Sequence, residues 1–331
     1  MIPKKPAPDL IRGGNRFSDK IMLKSKESRP CSGSIEMDHG QGGVRVTGMP
    51  SSPSLFRPRT LDEALDILAG TPDARPISGG ASLVAMMNAG LVEPAALVSL
   101  TRIPELSGIR RAADGGIMVG AATRHSAIAA DRVFDGTAAV LAHAASQIAG
   151  TAVRNMGTIG GAVAHADPGL DFPPALFAVD ARVQLAAKSG RRTLPIRDFF
   201  MDWYTTALEP GEIVIGFEIP KPKAGAGFYL KHARVAGDFA VVSIALSLAD
   251  DSEVRVAVGG CGPAPLGSTQ ADQMLSSGLS AETLRRAGEL LTALANPVDD
   301  VRGTAEYRKL LIPRMLTRAV REITSARKAV A

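Results

Sequence analysis

Residues 74–83 read Ala74-Arg75-Pro76-Ile77-Ser78-Gly79-Gly80-Ala81-Ser82-Leu83, and residues 157–162 read Gly157-Thr158-Ile159-Gly160-Gly161-Ala162. Each places a Gly-Gly pair beside a hydroxyl side chain. Adjacent glycines let a backbone approach a ligand closely and turn several N–H groups toward one anion. Ser82 and Thr158 add hydroxyl donors. Two such loops suit the two phosphates of one pyrophosphate. Two ordinary tight turns account for the same pattern, and the glycines alone do not separate these readings. No Gly-x-Gly-x-x-Gly opens a helix after a strand, and no Gly-Lys-Ser/Thr occurs. This argues against a Rossmann dinucleotide fold and a P-loop enzyme.

Around the first loop, Thr60 and Glu63 form a helix-start signature ahead of Ala64, Leu65 and Leu68. Short strands are expected at 75–77, 95–100 and 117–121. An Ala-rich helix is expected over 137–149, and a Gly-rich turn region over 157–161. A short apolar helix follows at 173–178, then a hairpin of 183–187 with 192–195 around Gly190. Ile213, Ile215, Phe217 and Ile219 alternate, which predicts a half-buried strand.

Lys221-Pro222-Lys223-Ala224-Gly225 is the best internal linker. Beyond it, 227–234, 239–248 and 253–259 predict an antiparallel meander. Ser280 and Thr304 are placed to cap two C-terminal helices. Pro313 predicts a kink or break in the last one. Strands followed by helices indicate an α+β protein.

The chain has 331 residues, soft evidence for about two domains. At 45% apolar and 21% charged it has material for a core. Aromatics are 4%, too few for a single-strand nucleic-acid stacking platform. No run is long and apolar enough for a transmembrane segment. The formal charge is +5, but residues 1–48 hold nine Lys/Arg against five acids. The remainder is nearly neutral, so no nucleic-acid partner is implied. Residues 1–48 have no sustained helical or strand period and are expected to form a disordered basic tail. They are expected to be either a non-functional extension ahead of a start at Met49 or an arm that contacts a partner. They lack a secretory apolar core, so a cytoplasmic location is expected. The domain reading is 1–48 tail, 49–222 first domain and 223–331 second domain.

Cys31 and Cys261 are the only two cysteines, too few for an iron–sulfur cluster or a four-cysteine zinc site. Cys261, in a Gly turn, is read as structural. His165, Asp167 and Asp171 lie close in sequence, but the other histidines show no ligand spacing, so no metal site is expected. A hydrogen-bonding carboxylate is the expected role of Asp171. No acid/base pair or nucleophile stands out, and no catalytic residue is assigned.

Several segments in order carry a resemblance. They are 74–83, Arg154-Asn155-Met156-Gly157-Thr158-Ile159-Gly160-Gly161, Ala164-His165-Ala166-Asp167-Pro168-Gly169-Leu170-Asp171-Phe172-Pro173, Thr206-Ala207-Leu208-Glu209-Pro210-Gly211-Glu212, Gly237-Asp238-Phe239-Ala240 and Ala305-Glu306-Tyr307-Arg308. Together they resemble the FAD-binding medium subunit of molybdenum hydroxylases, of the aerobic carbon monoxide dehydrogenase and xanthine dehydrogenase type. The resemblance runs from about 55 to 326.

It implies a two-subdomain FAD-binding fold of the vanillyl-alcohol-oxidase type, then a small C-terminal domain with a three-stranded antiparallel sheet and helices. It implies FAD, with the pyrophosphate held by Ser78, Gly79, Gly80, Ala81, Ser82 and Leu83 and by Thr158, Ile159, Gly160, Gly161 and Ala162. It implies FAD contacts from Asp171 and Lys231. It places Phe239 where relatives of the carbon monoxide dehydrogenase type tend to carry Tyr beside the flavin ring. Phe239 keeps the ring and loses the hydroxyl. Ala81 stands where relatives often place His, Thr or Gln, and the tail lies outside the pattern.

The implied partners are a molybdopterin-binding large subunit and a 2Fe–2S small subunit, in a dimer of heterotrimers. Electrons would pass from the clusters to FAD on this chain and then to an external acceptor. Two other readings stand beside this one: a self-contained flavin oxidase of the related fold, and a non-catalytic assembly protein.

Overall fold

The structure is a computed structural model that describes residues 35–37, 44–46 and 52–330. Within the segment expected to be a disordered tail it contains an antiparallel pair, β1 (Ile35–Met37) with β2 (Val44–Val46). No strand was expected there, and the rest of that expectation lies outside the described residues.

Residues 52–330 are built around three cores. The smallest underlies a parallel sheet of β3 (Ser54–Phe56), β5 (Ala96–Ser99) and β4 (Ala74–Ile77), in that order. Helix α1 (Leu61–Gly70) precedes β4, and α2 (Leu83–Asn88) lies between β4 and β5. Thr60 caps α1 by accepting from the Glu63 amide at 3.2 Å. The Glu63 carboxylate accepts from Arg59 rather than Thr60, at 2.8 Å. The capping box is thus displaced by one residue.

The central layer is an antiparallel sheet ordered β6 (Ile109–Arg111), β7 (Ile117–Gly120), β12 (Ile213–Ile219), β8 (Arg182–Ala187), β9 (Gly190–Pro195). The expected hairpin is β8–β9, joined at Gly190. Strand β12 departs from the half-buried expectation. A register shift between Val214 and Gly216 interrupts the alternation. Val214, Phe217 and Ile219 enter the central core, while Ile213 and Ile215 join Leu61, Val98 and Ile103 in the smaller one. One extra residue flips the faces of a period-two strand, so β12 is buried on both sides.

Five short helices join β7 to β8, and α6 among them packs on β12: α3 (His125–Ala130), α4 (Ala139–Ser146), α5 (Thr151–Met156), α6 (Ile159–His165) and α7 (Phe172–Ala178). The Ala-rich helix is shorter than expected. It is entered through a 3-10 turn at Gly136–Ala138, and Ala149 then adopts a positive φ of 40°. The hairpin β10 (Phe200–Asp202)–β11 (Thr205–Thr206) closes this region.

Past the linker, β13 (Gly225–His232), β14 (Val242–Ala249) and β15 (Val254–Gly259) form the expected meander. A fourth strand, β16 (Leu266–Gly267), extends the sheet beyond the three expected. Every residue of β14 is buried. Ala245 faces the central core, while Ile244, Leu246 and Leu248 face the C-terminal core. That core is completed by α8 (Thr269–Ser276), α9 (Ala281–Leu294) and α10 (Ala305–Val330). Ser280 and Thr304 cap α9 and α10 as expected. Of the kink or break expected at Pro313, the break does not occur, because α10 runs through it. Pro313 packs on Gly288 of α9, where no side chain competes for the space.

Candidate functional site

The first Gly loop connects β4 to α2. Gly80 has φ +71°, a conformation that costs a side-chain-bearing residue about 1 kcal/mol or more. The loop carbonyls of Gly80 and Ser82 accept from Val84 and Met86. Among the described residues, the amides of Gly79, Gly80, Ala81, Ser82 and Leu83 have no internal acceptor. The Ser78 hydroxyl is buried and also lacks a partner. Open amides in a row next to an orphaned hydroxyl form a site for an anion.

The second Gly loop differs from the expected turn. Thr158 caps α6, and its hydroxyl accepts from Gly161 at 3.3 Å. Ile159 donates to the Thr123 carbonyl, Gly160 to Ala121 and Ala162 to Thr158. The amides of residues 159–162 are therefore all engaged internally. Gly160 is required for a different reason: a Cβ there would lie 2.5 Å from the Ala121 Cβ. The glycine lets α6 sit tightly on the end of β7.

The structure brings the two loops together. Gly79 packs directly against the Met156 carbonyl and the Gly157 Cα, with no space for a side chain. His125 lies beneath this junction. Its amide donates to the Gly157 carbonyl, and its ring sits 5.2 Å from that of Phe172, the residue after Asp171. Burial lowers the His125 pKa to about 4, so the ring is neutral near pH 7. Its Nδ1 is buried without a partner.

Asp171 and Lys231 also meet, in the interior. Lys231 Nζ lies 3.0 Å from Asp171 Oδ1 and donates to the Gln147 carbonyl at 2.7 Å. The Tyr229 hydroxyl donates to Asp171 Oδ1 at 2.8 Å. Burial raises the Asp171 pKa, while Lys231 and Tyr229 oppose that rise. Tyr229, Gln147 and His125 were not picked out from the sequence. Tyr229 was legible in principle, since it lies two residues before Lys231 on the same face of β13. Gln147 and His125 carry no such signal, because only tertiary packing brings them here.

Phe239 is partly exposed. Its Cβ approaches Gly169 of the turn ahead of Asp171, and the Arg302 guanidinium stacks 4.7 Å from its ring centroid. In the same turn Asp167 accepts from the Gly169 amide at 2.8 Å and from the Tyr204 hydroxyl at 3.0 Å. Asp167 and Asp171 are thus engaged by protein donors. Among the described residues no three His, Cys, Asp or Glu side chains are grouped to hold a metal. No described helix is long and apolar enough to cross a membrane.

This geometry coincides with a recognisable family pattern. Residues 50–222 match the family model described as the FAD binding domain in molybdopterin dehydrogenase. Residues 227–323 match the CO dehydrogenase flavoprotein C-terminal domain. The carbon monoxide dehydrogenase medium chain of Afipia carboxidovorans is 34% identical over 279 residues, covering 82% of this chain and 96% of that one. The glyceraldehyde dehydrogenase medium chain of Sulfolobus acidocaldarius is 30% identical over 279 residues, covering 83% and 99%. The solved carbon monoxide dehydrogenase of Hydrogenophaga pseudoflava superimposes with TM-score 0.79 at 32% identity, covering 84% of this chain and 99% of its counterpart.

The residues present fit FAD. The open amides of residues 79–83 and the Ser78 hydroxyl suit a pyrophosphate. The Asp171 carboxylate suits a flavin hydroxyl. With both domains matched in order and the loop geometry in place, the chain belongs to the FAD-binding medium subunits of molybdenum hydroxylases, as an oxidoreductase subunit whose cofactor is FAD.

Proposed function

We propose that this chain is the electron-transfer subunit of a molybdenum hydroxylase complex, receiving electrons from 2Fe–2S clusters on a small partner subunit and passing them to an external acceptor. In this reading a molybdopterin-binding large subunit oxidises the substrate, the complex is a dimer of heterotrimers, and it works in the cytoplasm. The domain organisation that goes with it is a basic tail over 1–48, an FAD domain over 49–222 and a C-terminal domain over 223–331. The medium chains among the relatives support this reading.

The observation that carries it is the row of open amides at 79–83, placed where Gly79 meets the second Gly loop. FAD, when bound, supplies chemistry that takes electrons singly and releases them singly or in pairs. Ser78 through Leu83 hold the pyrophosphate. The second loop, Thr158 through Ala162, packs the floor of the site and offers the Thr158 hydroxyl. Asp171 accepts from a flavin hydroxyl, and Lys231 opposes the rise in its pKa that burial imposes. Phe239 flanks the ring. The chain has two cysteines, and burial pushes the Cys261 thiol up to about 12. An external electron donor is therefore part of the proposal.

The test is an anaerobic reductive titration of the assembled complex, with cluster and flavin absorbance followed together. Cluster bleaching followed by flavin bleaching is the expected result. Reduced clusters beside a flavin that stays oxidised would overturn the proposed order.

A further inference from the structure

Asp171 occupies the residue before α7 with φ −82° and ψ −36°, yet its carboxylate makes no cap hydrogen bond. It turns instead toward β13, where Tyr229 and Lys231 stand at alternate positions and so share a face. Tyr229 is 1% exposed and packs within the central apolar core. Its hydroxyl donates to Asp171 Oδ1 at 2.8 Å. Lys231 Nζ lies 3.0 Å from the same oxygen and 3.3 Å from Oδ2. The Gln147 side-chain amide ties back to the Tyr229 carbonyl at 3.0 Å, and the Gln147 carbonyl takes Lys231.

Stability alone is a poor account of this cluster. Burying a carboxylate and an ammonium seldom stabilises a fold beyond what apolar side chains of similar volume achieve. The division of labour between the two oxygens is more informative. Oδ1 accepts from the Tyr229 hydroxyl and lies in ion-pair contact with Lys231, while Oδ2 accepts a single hydrogen bond, from Lys231, and keeps acceptor capacity.

We infer that Tyr229 is a positioning residue for the cofactor: by donating to Oδ1 it fixes the Asp171 carboxylate so that Oδ2 is the acceptor offered to a hydroxyl of bound FAD. This rests on the assignment of Asp171 to the FAD site made above. Without the phenol donor, Oδ1 has only the Lys231 contact, the two oxygens become interchangeable, and neither is held as the acceptor offered to the cofactor. Phenylalanine at 229 removes that donor while keeping the ring and its packing.

The experiment uses the assembled complex, stripped of flavin and titrated with FAD, for wild type, Y229F, D171N and the double variant. Thermal midpoints of each establish that they fold. Y229F is expected to weaken FAD binding about tenfold, the effect of one hydrogen bond to a charged group, and to shift the visible flavin band. D171N is expected to weaken binding at least as much. Y229F should then add nothing in the D171N background, because residues acting through one contact are not additive. Equal losses from Y229F in both backgrounds would overturn the positioning role, as would unchanged affinity in Y229F beside a weakened D171N. Wild-type affinity in D171N would overturn the assignment of Asp171 itself, a separate failure.

Discussion

Gly79 and Gly157 are in backbone contact. A Cβ on Gly79 would lie 2.7 Å from the Gly157 Cα and overlap the Met156 carbonyl. The contact joins a loop of the parallel-sheet subdomain to one of the central subdomain. It holds the open amides of residues 79–83 against the start of α6.

Gly79→Ala is therefore expected to separate the loops. Overpacking of this kind costs about 1–3 kcal/mol, and FAD affinity should fall by about tenfold or more as the amides lose their alignment. Gly70→Ala, at the end of α1, is the control. A Cβ there would meet nothing within 4 Å. FAD content per chain and the thermal midpoint, measured on both variants, check the ranking. Equal FAD loss in the two would refute it.

His125 predicts a pH dependence. Its folded pKa is depressed by burial to about 4, against 6.5 when unfolded. The unfolded chain therefore binds the proton first as pH falls. The stability contributed by the neutral ring is complete above pH 6.5 and is lost progressively between 6.5 and about 4. The full loss is about 3 kcal/mol. Urea unfolding at several pH values should show this slope in wild type, and His125→Asn should lose it. A variant with an unchanged slope would place the titration elsewhere.

Arg308 is buried and binds three acceptors: the Val241 carbonyl at 2.6 Å, the Gly260 carbonyl at 2.9 Å and Asp300 Oδ1 at 2.6 Å. It ties α10 to the start of β14, the end of β15 and the loop that presents Arg302. Lysine has one point charge where this site uses a fork. Arg308→Lys should lower stability by about 1–3 kcal/mol, from the hydrogen bonds that one ammonium cannot make together, read as an earlier urea midpoint. It should also loosen the Arg302–Phe239 stack. A shift under about 1 kcal/mol would show that the fork is dispensable.

Gly288 and Pro313 set the approach of α9 to α10. A Cβ on Gly288 would sit 2.8 Å from the Pro313 Cβ and 3.0 Å from its Cα. Gly288→Ala is expected to destabilise the C-terminal domain by about 1–3 kcal/mol, despite alanine's higher helix propensity. An increase in thermal midpoint would show that the helices part without cost.

Local rules made much of this fold legible. Thr60, Ser280 and Thr304 announce their helices because a hydroxyl before an apolar period satisfies orphan amides. Gly190 marks the β8–β9 hairpin, and the strand runs that follow the Lys221–Gly225 linker mark β13 through β15. The bulge in β12 was not legible. Ile213, Ile215, Phe217 and Ile219 alternate perfectly in sequence, and only the presence of a core on each side of the strand selects a shifted register. Pro313 likewise reads as a breaker until Gly288 is found opposite it.

The site divides in the same way. The amino-acid sequence by itself determined the two Gly loops, the Asp171 and Lys231 positions and, through the ordered motifs, the family and its cofactor. These are properties of short segments, carried by residue type and spacing. Tertiary structure alone decided that the first loop keeps its amides open while the second spends them internally. It also decided that His125 lies beneath their junction and that Tyr229 takes one oxygen of Asp171. The physical reason is that hydrogen-bond partners of a buried group are chosen by whichever elements pack around it. The residues concerned here lie on separate strands and helices, so no local pattern records their meeting.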